Sequence, residues 1–203
     1  MSTTSSGIRA KIEAALSLSA RSHRTQVRKG TDVPYIVHPV AVAWILDRHG
    51  FDENVVVAGL LHDTVEDTDL ELADVRAAFG DDVAALVDAV SETKLENGER
   101  RPWKVRKAEA LAHLQHADPR VAGLKAADIL HNLTSTVHEL KTLGPSTWSR
   151  FNASPADWVW YHREMCALIV ARLGDHPLAR ELEATVAELV AITASSLSSS
   201  GVV

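Results

Sequence analysis

With 203 residues, 46% of them apolar and 24% charged, the chain can bury one sizeable core and falls outside the disordered class. Its formal charge of −6 argues against a coat for nucleic acid. A single cysteine, Cys166, excludes an internal disulfide and a thiolate metal cage and fits a reducing cytoplasm. No apolar run approaches the roughly 20 residues of a membrane span, and the polar start, Met1 to Ser6, lacks the basic and apolar parts of a signal peptide.

The two ends, 1–7 and 194–203, are rich in serine and small residues and are predicted to be disordered, with one domain over 8–193 between them. Ile8, Ile12, Ala15, Leu16 and Ser19 share one face of a first helix that runs to about Val27. Pro39 opens a second, with Val40, Ala43, Trp44 and Leu46 turned inward and His38 at or just before its N-terminus. Asp52 or Asn54 caps a third, from Val55 through His62-Asp63. Thr68 with Glu71 resembles a capping box for a helix ending at Phe79-Gly80. Asp81 starts another, carrying Val83, Leu86, Val87 and Val90, and further helices cover about 104–117, 120–142, 156–173 and 177–193. No convincing alternating strand is found. Val55-Val56-Val57 is β-prone, but the longer apolar helical run around it overrides that propensity. The expected fold is all-α, a single-domain helical bundle.

The stretch Leu60-Leu61-His62-Asp63-Thr64-Val65-Glu66-Asp67-Thr68 carries the most chemistry. On a helix His62 and Glu66 share a face, as do Asp63, Glu66 and Asp67. His62 and Asp63 point roughly 100° apart, yet both can reach an ion beyond the helix end. Taken alone, such a pair is only moderately specific. Asp128 adds weight: with Asn132 and Ser135 it makes a polar ladder beside the apolar stripe Leu130, Leu133, Val137 and Leu140. Small Ala126 and Ala127 before it permit a close helix approach. Together His38, His62, Asp63 and Asp128 form a two-His, two-Asp set that suits octahedral Mn²⁺ or Fe²⁺, with Zn²⁺ also possible.

Basic residues cluster in two places in this acidic chain: Arg21, Arg24, Arg28 and Lys29, then Arg100, Arg101, Lys104, Arg106 and Lys107. Both suggest an anion site, although the second reads first as solvated helix faces. His49, His113, His116, His138 and His176 read as surface or satisfied core histidines.

Several segments resemble the RelA/SpoT-type HD hydrolase domain. They are His23-x-x-Gln26-x-Arg28-Lys29, Pro34-Tyr35-Ile36-Val37-His38-Pro39 with Val42-Ala43, Ala58 through Thr68, Phe79-Gly80-Asp81-Asp82-Val83, and Lys125-Ala126-Ala127-Asp128. The likeness spans about 8–193, and the chain ends where a bifunctional member would continue into a synthetase. It therefore looks like a stand-alone small alarmone hydrolase without synthetase activity, similar to the metazoan SpoT homologue.

The resemblance implies an HD-type bundle with a buried divalent ion that hydrolyses ppGpp or pppGpp to GDP or GTP plus pyrophosphate. It places Mn²⁺ on His38, His62, Asp63 and Asp128, and the catalytic acidic pair on Glu66 and Asp67, one of which orients or deprotonates the attacking water. Arg28 and Lys29 match residues beside the substrate phosphates, with Lys104 as a further candidate; Asn132 and Ser135 match positions on the nucleotide. Trp160 and Tyr161 read equally as purine stackers or as core. The implied partner is a small nucleotide, with neither nucleic acid nor membrane, and monomer and homodimer stay open.

The chain departs from the family pattern at the Gly30-Thr31-Asp32-Val33 loop, at Ile129 and at Thr134, the last two standing where basic residues are usual. These departures keep two other activities open, on (p)ppApp or on the 2′-phosphate of NADPH. A rival of another class is a non-catalytic nucleotide-sensing HD module.

Overall fold

A computed structural model describes residues 4–96 and 98–199, with side chains from 10–96 and 98–195. It is an all-α bundle. In chain order the helices are α1 (Thr4–Ser22), α2 (Val37–Arg48), α3 (Glu53–Leu61), α4 (Thr64–Asp67), α5 (Leu72–Phe79), α6 (Asp81–Val90), α7 (Trp103–Leu114), α8 (Pro119–Leu143), α9 (Pro155–Leu173) and α10 (Pro177–Ser199). A 3₁₀ segment, Gly144–Arg150, follows α8.

Helix α3 is the centre of the molecule. Val55 to Leu61 are buried without interruption, the signature of a helix covered on every side. It packs against α1, α2, α6 and α8, and α8 in turn carries α9 and α10. Each fully buried valine or leucine contributes about 1.5–3 kcal/mol, so this apolar run overrides the local β preference of its three valines. The N-terminus is capped as predicted: the Asp52 carboxylate accepts from the backbone N–H groups of Asn54 and Val55.

Two glycines let helices approach closely. A Cβ on Gly59 would stand 2.7 Å from Leu46 Cδ1, and one on Gly123 only 2.1 Å from Phe51 Cε1. A leucine tip can turn aside, but the Phe51 ring must move as a unit. Gly123→Ala is expected to destabilise the fold by about 1–3 kcal/mol, read from the urea midpoint; an unchanged midpoint contradicts this packing.

Several sequence expectations are corrected. The first helix ends at Ser22, before Val27, because Val27 bridges Pro34 as a short antiparallel pair instead. In α2 the inward residues are His38, Pro39, Val42, Ala43 and Leu46, whereas Trp44 is 72% exposed and Val40 lies outside the core. Pro39 sits inside the first turn, where its missing N–H costs nothing. The capping box before α5 is formed by Glu71 and Asp74, with no part for Thr68, whose hydroxyl bonds the Thr64 carbonyl. A two-residue hairpin, β1 (Leu95–Glu96) paired antiparallel with β2 (Glu99–Arg100), interrupts the helical pattern; Gly98 at φ +81° makes its turn. At the two ends the described helical backbone begins at Thr4 and runs to Ser199. The remainder of those ends, 1–3 and 200–203, lies outside the described residues.

Candidate metal centre and anion cavity

The third helix stops just where the chemistry begins. His62 Nδ1 lies 2.9 Å from the Gly59 carbonyl, and the Thr64 hydroxyl donates to the Leu61 carbonyl at 2.6 Å. Side chains thus take the acceptors that the next helical turn would use. Asp63 turns the backbone at φ −97°, ψ −6°, and α4 starts afresh. His62 and Asp63 therefore sit in a corner between two helices, not on one continuous face.

That corner brings the predicted ligands together. His38 Nε2 is 3.2 Å from His62 Nε2, 3.4 Å from Asp63 Oδ2 and 3.3 Å from Asp128 Oδ1. His62 Nε2 is 3.1 Å from Asp63 Oδ2 and 3.9 Å from Asp128 Oδ1. His38, His62 and Asp128 form a group able to hold an ion, and Asp63 touches both imidazoles of that group. His38 and His62 are buried, at 1% and 3% exposure. The donor set suits a divalent cation on chemical grounds. The Gly59 carbonyl takes the Nδ1 proton of His62, so its Nε2 lone pair faces the cluster. Two partly buried carboxylates beside it, Asp63 and Asp128, call for positive charge.

Outer residues orient these groups. The Tyr35 hydroxyl donates to Asp63 Oδ2 at 2.6 Å. Lys125 Nζ lies 3.0 Å from Asp128 Oδ2, and Asn132 Nδ2 donates to Asp128 Oδ1 at 2.7 Å. His38 Nδ1 is 2.8 Å from His131 Nδ1. Tyr35 and Lys125 stand in the motifs quoted from the sequence without a role of their own, and His131 was not among the candidates. The spacings Tyr35–His38, Lys125–Asp128 and Asp128–His131, all i,i+3, were the available signal.

Charge in the cluster is tightly coupled. Burial alone pushes the His62 imidazolium down, but Asp63, Asp128 and the Gly59 carbonyl outweigh it and raise its pKa to about 9. For Asp128, burial opposes ionisation, yet Lys125 and the two imidazoles hold it far below the usual carboxylate range. A pKa raised above the unfolded value gives stability that is complete below about pH 6.5 and lost as pH climbs through about 9. Chelator-treated protein is therefore expected to melt at progressively lower temperature between those two pH values, and metal-loaded protein is not, because the ion replaces the proton. Calorimetry across that range checks this; a flat trace for the stripped protein contradicts it.

Beside the cluster opens a cavity of about 530 Å³. Five cationic residues line it (Arg28, Lys29, Lys107, Lys125 and Arg150) against two carboxylates, Asp128 and Glu139. In a chain of net charge −6, this concentration selects an anionic ligand. The predicted Arg28, Lys29, Asn132 and Ser135 all reach this cavity. Arg28 is aimed by its loop: its N–H bonds the Val33 carbonyl at 2.8 Å, and its guanidinium donates to Asn132 Oδ1 at 2.7 Å. The polar ladder on α8 thus faces the cavity instead of open solvent. Trp103, Phe151, Trp158 and Tyr161 add an aromatic wall.

Other candidates lie elsewhere. Lys104 is 70% exposed and pairs with Asp157, outside the lining; Lys107, one turn on, takes the place expected for it. Trp160 also stands outside, whereas Tyr161 is buried and lines the wall. Of the three family departures, the 30–33 loop (through Thr31 and Val33) and Ile129 line the cavity; Thr134 does not, and its hydroxyl returns to the Leu130 carbonyl. Glu66 and Asp67 are not in the lining. Both contact Lys94, with Nζ 2.9 Å from Glu66 Oε1, and the Glu92 N–H donates to Glu66 Oε2 at 2.9 Å. Among the described residues no helix is long and apolar enough to cross a membrane.

The chain is similar to known proteins over most of its length. A family model described as the HD domain matches residues 15–155. A GTP pyrophosphokinase of Streptomyces coelicolor is 46% identical over 124 residues, which cover 61% of this chain but only 14% of that enzyme. The human guanosine-3′,5′-bis(diphosphate) 3′-pyrophosphohydrolase is 40% identical over 144 residues, covering 69% of this chain and 75% of that one. The solved structure of a metazoan orthologue of SpoT, described as hydrolysing ppGpp, superposes with a TM-score of 0.69 at 29% identity, covering 88% of this chain and 95% of that one. The matched span runs from α1 to the start of α9 and takes in all four clustered His and Asp residues, and on that ground the chain belongs to the HD domain family.

Proposed function

We propose that this protein is a metal-dependent (p)ppGpp 3′-pyrophosphohydrolase, converting ppGpp or pppGpp to GDP or GTP and pyrophosphate. The observation that carries the reading is the convergence of two imidazoles and two carboxylates beside a strongly cationic cavity. Its likeness to the human hydrolase, three quarters of which it covers, supports the same substrate. The proposed domain is 8–193 and the proposed compartment the cytoplasm.

His38, His62, Asp63 and Asp128 are the proposed ligands, with Mn²⁺ the first ion to test and Fe²⁺ and Zn²⁺ the alternatives. A divalent ion held there supplies Lewis acidity, acidifying water and polarising a phosphoryl oxygen. The chain supplies the rest. Arg28, Lys29, Lys107 and Arg150 offer fixed positive charge for two phosphate groups at opposite ends of a nucleotide. Asn132, braced between Arg28 and Asp128, presents its amide to the ribose side, with Ser135 one turn further. Glu66 and Asp67 handle the proton: one takes it from the attacking water, and the basic 3′-alkoxide receives one from the other or from solvent. Burial raises the pKa of Glu66 against the pull of Lys94, moving it towards the range of a useful acid–base group.

Ile129 in the cavity wall favours a second substrate class for comparison, since the family usually places a cation there. The deciding experiment incubates Mn²⁺-loaded protein with ppGpp, ppApp and NADPH and separates the products by chromatography. Pyrophosphate and GDP from ppGpp are expected. Orthophosphate from NADPH, or turnover of ppApp alone, would reassign the substrate, and tight ppGpp binding without products would make the protein a sensor.

A further inference from the structure

We infer that Lys94 is a positioning residue for the reaction: its ammonium gathers Glu66 and Asp67 into one acid–base unit. This rests on the hydrolase reading, in which those two carboxylates move the proton.

Consecutive side chains at the start of a helix diverge by roughly 100°, and two carboxylates side by side repel. Something must draw Glu66 and Asp67 together. Lys94 Nζ does so, 2.9 Å from Glu66 Oε1 and in direct contact with Asp67 Oδ1. The segment that carries it contributes twice, because the Glu92 N–H holds the other oxygen of Glu66 at 2.9 Å. From the opposite side, Gln26 Nε2 donates to the Asp67 carbonyl at 2.7 Å, so the α4 backbone is pinned independently. Lys94 is itself anchored: its carbonyl accepts from the Arg101 N–H at 2.9 Å, closing the base of the β1–β2 hairpin.

Other charges around the pair are accounted for. Glu66 feels Asp63 and Lys94, and Lys125 feels Glu66 in turn; Asp67 acts on Lys94 and on Tyr35. Lys125 is bonded to Asp128, which among the described residues leaves Lys94 as the ammonium in contact with the acidic pair. Burial opposes ionisation of Glu66, and Lys94 is the largest influence against it. Without that ammonium Glu66 holds its proton to higher pH, and the two side chains lose the contact that draws them together. The side chain is 29% exposed, so a methionine of similar length there leaves no large void and the fold is expected to persist.

The test compares Lys94→Met and Lys94→Arg with the parent protein. In Lys94→Met, kcat for ppGpp is expected to fall about 100-fold with KM within about threefold and bound Mn²⁺ unchanged, and Lys94→Arg to recover about a tenth of the parent rate. The acid limb of the rate profile moves to higher pH in Lys94→Met. A readout free of turnover is carboxyl-carbon NMR of Zn²⁺-loaded protein, where Glu66 titrates at higher pH once Lys94 is methionine. Parent-like kcat with an unmoved Glu66 titration would overturn the inference. So would equal loss of metal or early melting in both variants, which marks a purely structural lysine. Should the parent release nothing from ppGpp, the hydrolase reading fails by itself, and the NMR titration still decides on Lys94.

Discussion

Replacing Asp63 with alanine is expected to remove the divalent ion and turnover together. Asp63 Oδ2 stands within 3.4 Å of both ring nitrogens of the cluster. Its loss leaves His38, His62 and Asp128 facing an ion with three donors, and leaves the Tyr35 hydroxyl without its acceptor. Loss of a single outer-sphere partner typically weakens a metal site 10–100-fold, so a lost ligand is expected to cost at least about 100-fold in Mn²⁺ affinity. Turnover at limiting metal should fall by on the order of 10³ or more. The fold should survive, since the α3 core from Val55 to Leu61 lies wholly on the other side of the break. Metal titration followed by pyrophosphate release from ppGpp measures both quantities, and an Asp63→Ala protein that keeps its ion and its rate would remove the proposed ligand set.

Glu66→Gln and Asp67→Asn are expected to behave differently: metal retained, kcat lost. General acid–base catalysis supplies about 10²–10⁴ in rate, and each variant is expected to lose an amount in that range. The substitutions keep shape and most hydrogen bonds while removing charge. Lys94 keeps a partner in each single variant, because the other carboxylate remains. The double variant should cost little more than the more damaging single one, as groups acting as a unit are not additive. Parent-like kcat in both singles would contradict an acid–base role, and lost metal in either would place that residue among the ligands instead.

The sequence carried most of the architecture because helical periodicity is a local signal. Apolar spacing along α6, α8 and α9 follows from residues within one or two turns, and the cap at Asp52 is read from a single side chain. What it did not carry were features set by packing. The break at His62-Asp63 depends on side chains competing for the Gly59 and Leu61 carbonyls, and Trp44 faces outward because its neighbours in α2 meet α3 and α8. The short hairpin after α6 has strands too brief to show alternation.

The same division runs through the site. Composition and spacing by themselves determined an all-α chain carrying a His-Asp pair with two carboxylates one turn on, a polar ladder from Asp128 and surplus positive charge near residue 28, because each of these lies in a short stretch of sequence. Only the tertiary structure decided that α2, the α3–α4 corner and α8 meet so that His38, Asp63 and Asp128 fall within 4 Å of the His62 imidazole. It also decided which cations face the cavity, Lys107 and not Lys104, and that Lys94 reaches back 27 residues to Asp67. Such partners are chosen by the burial of apolar faces elsewhere in the bundle, and no local pattern in the chain records that choice.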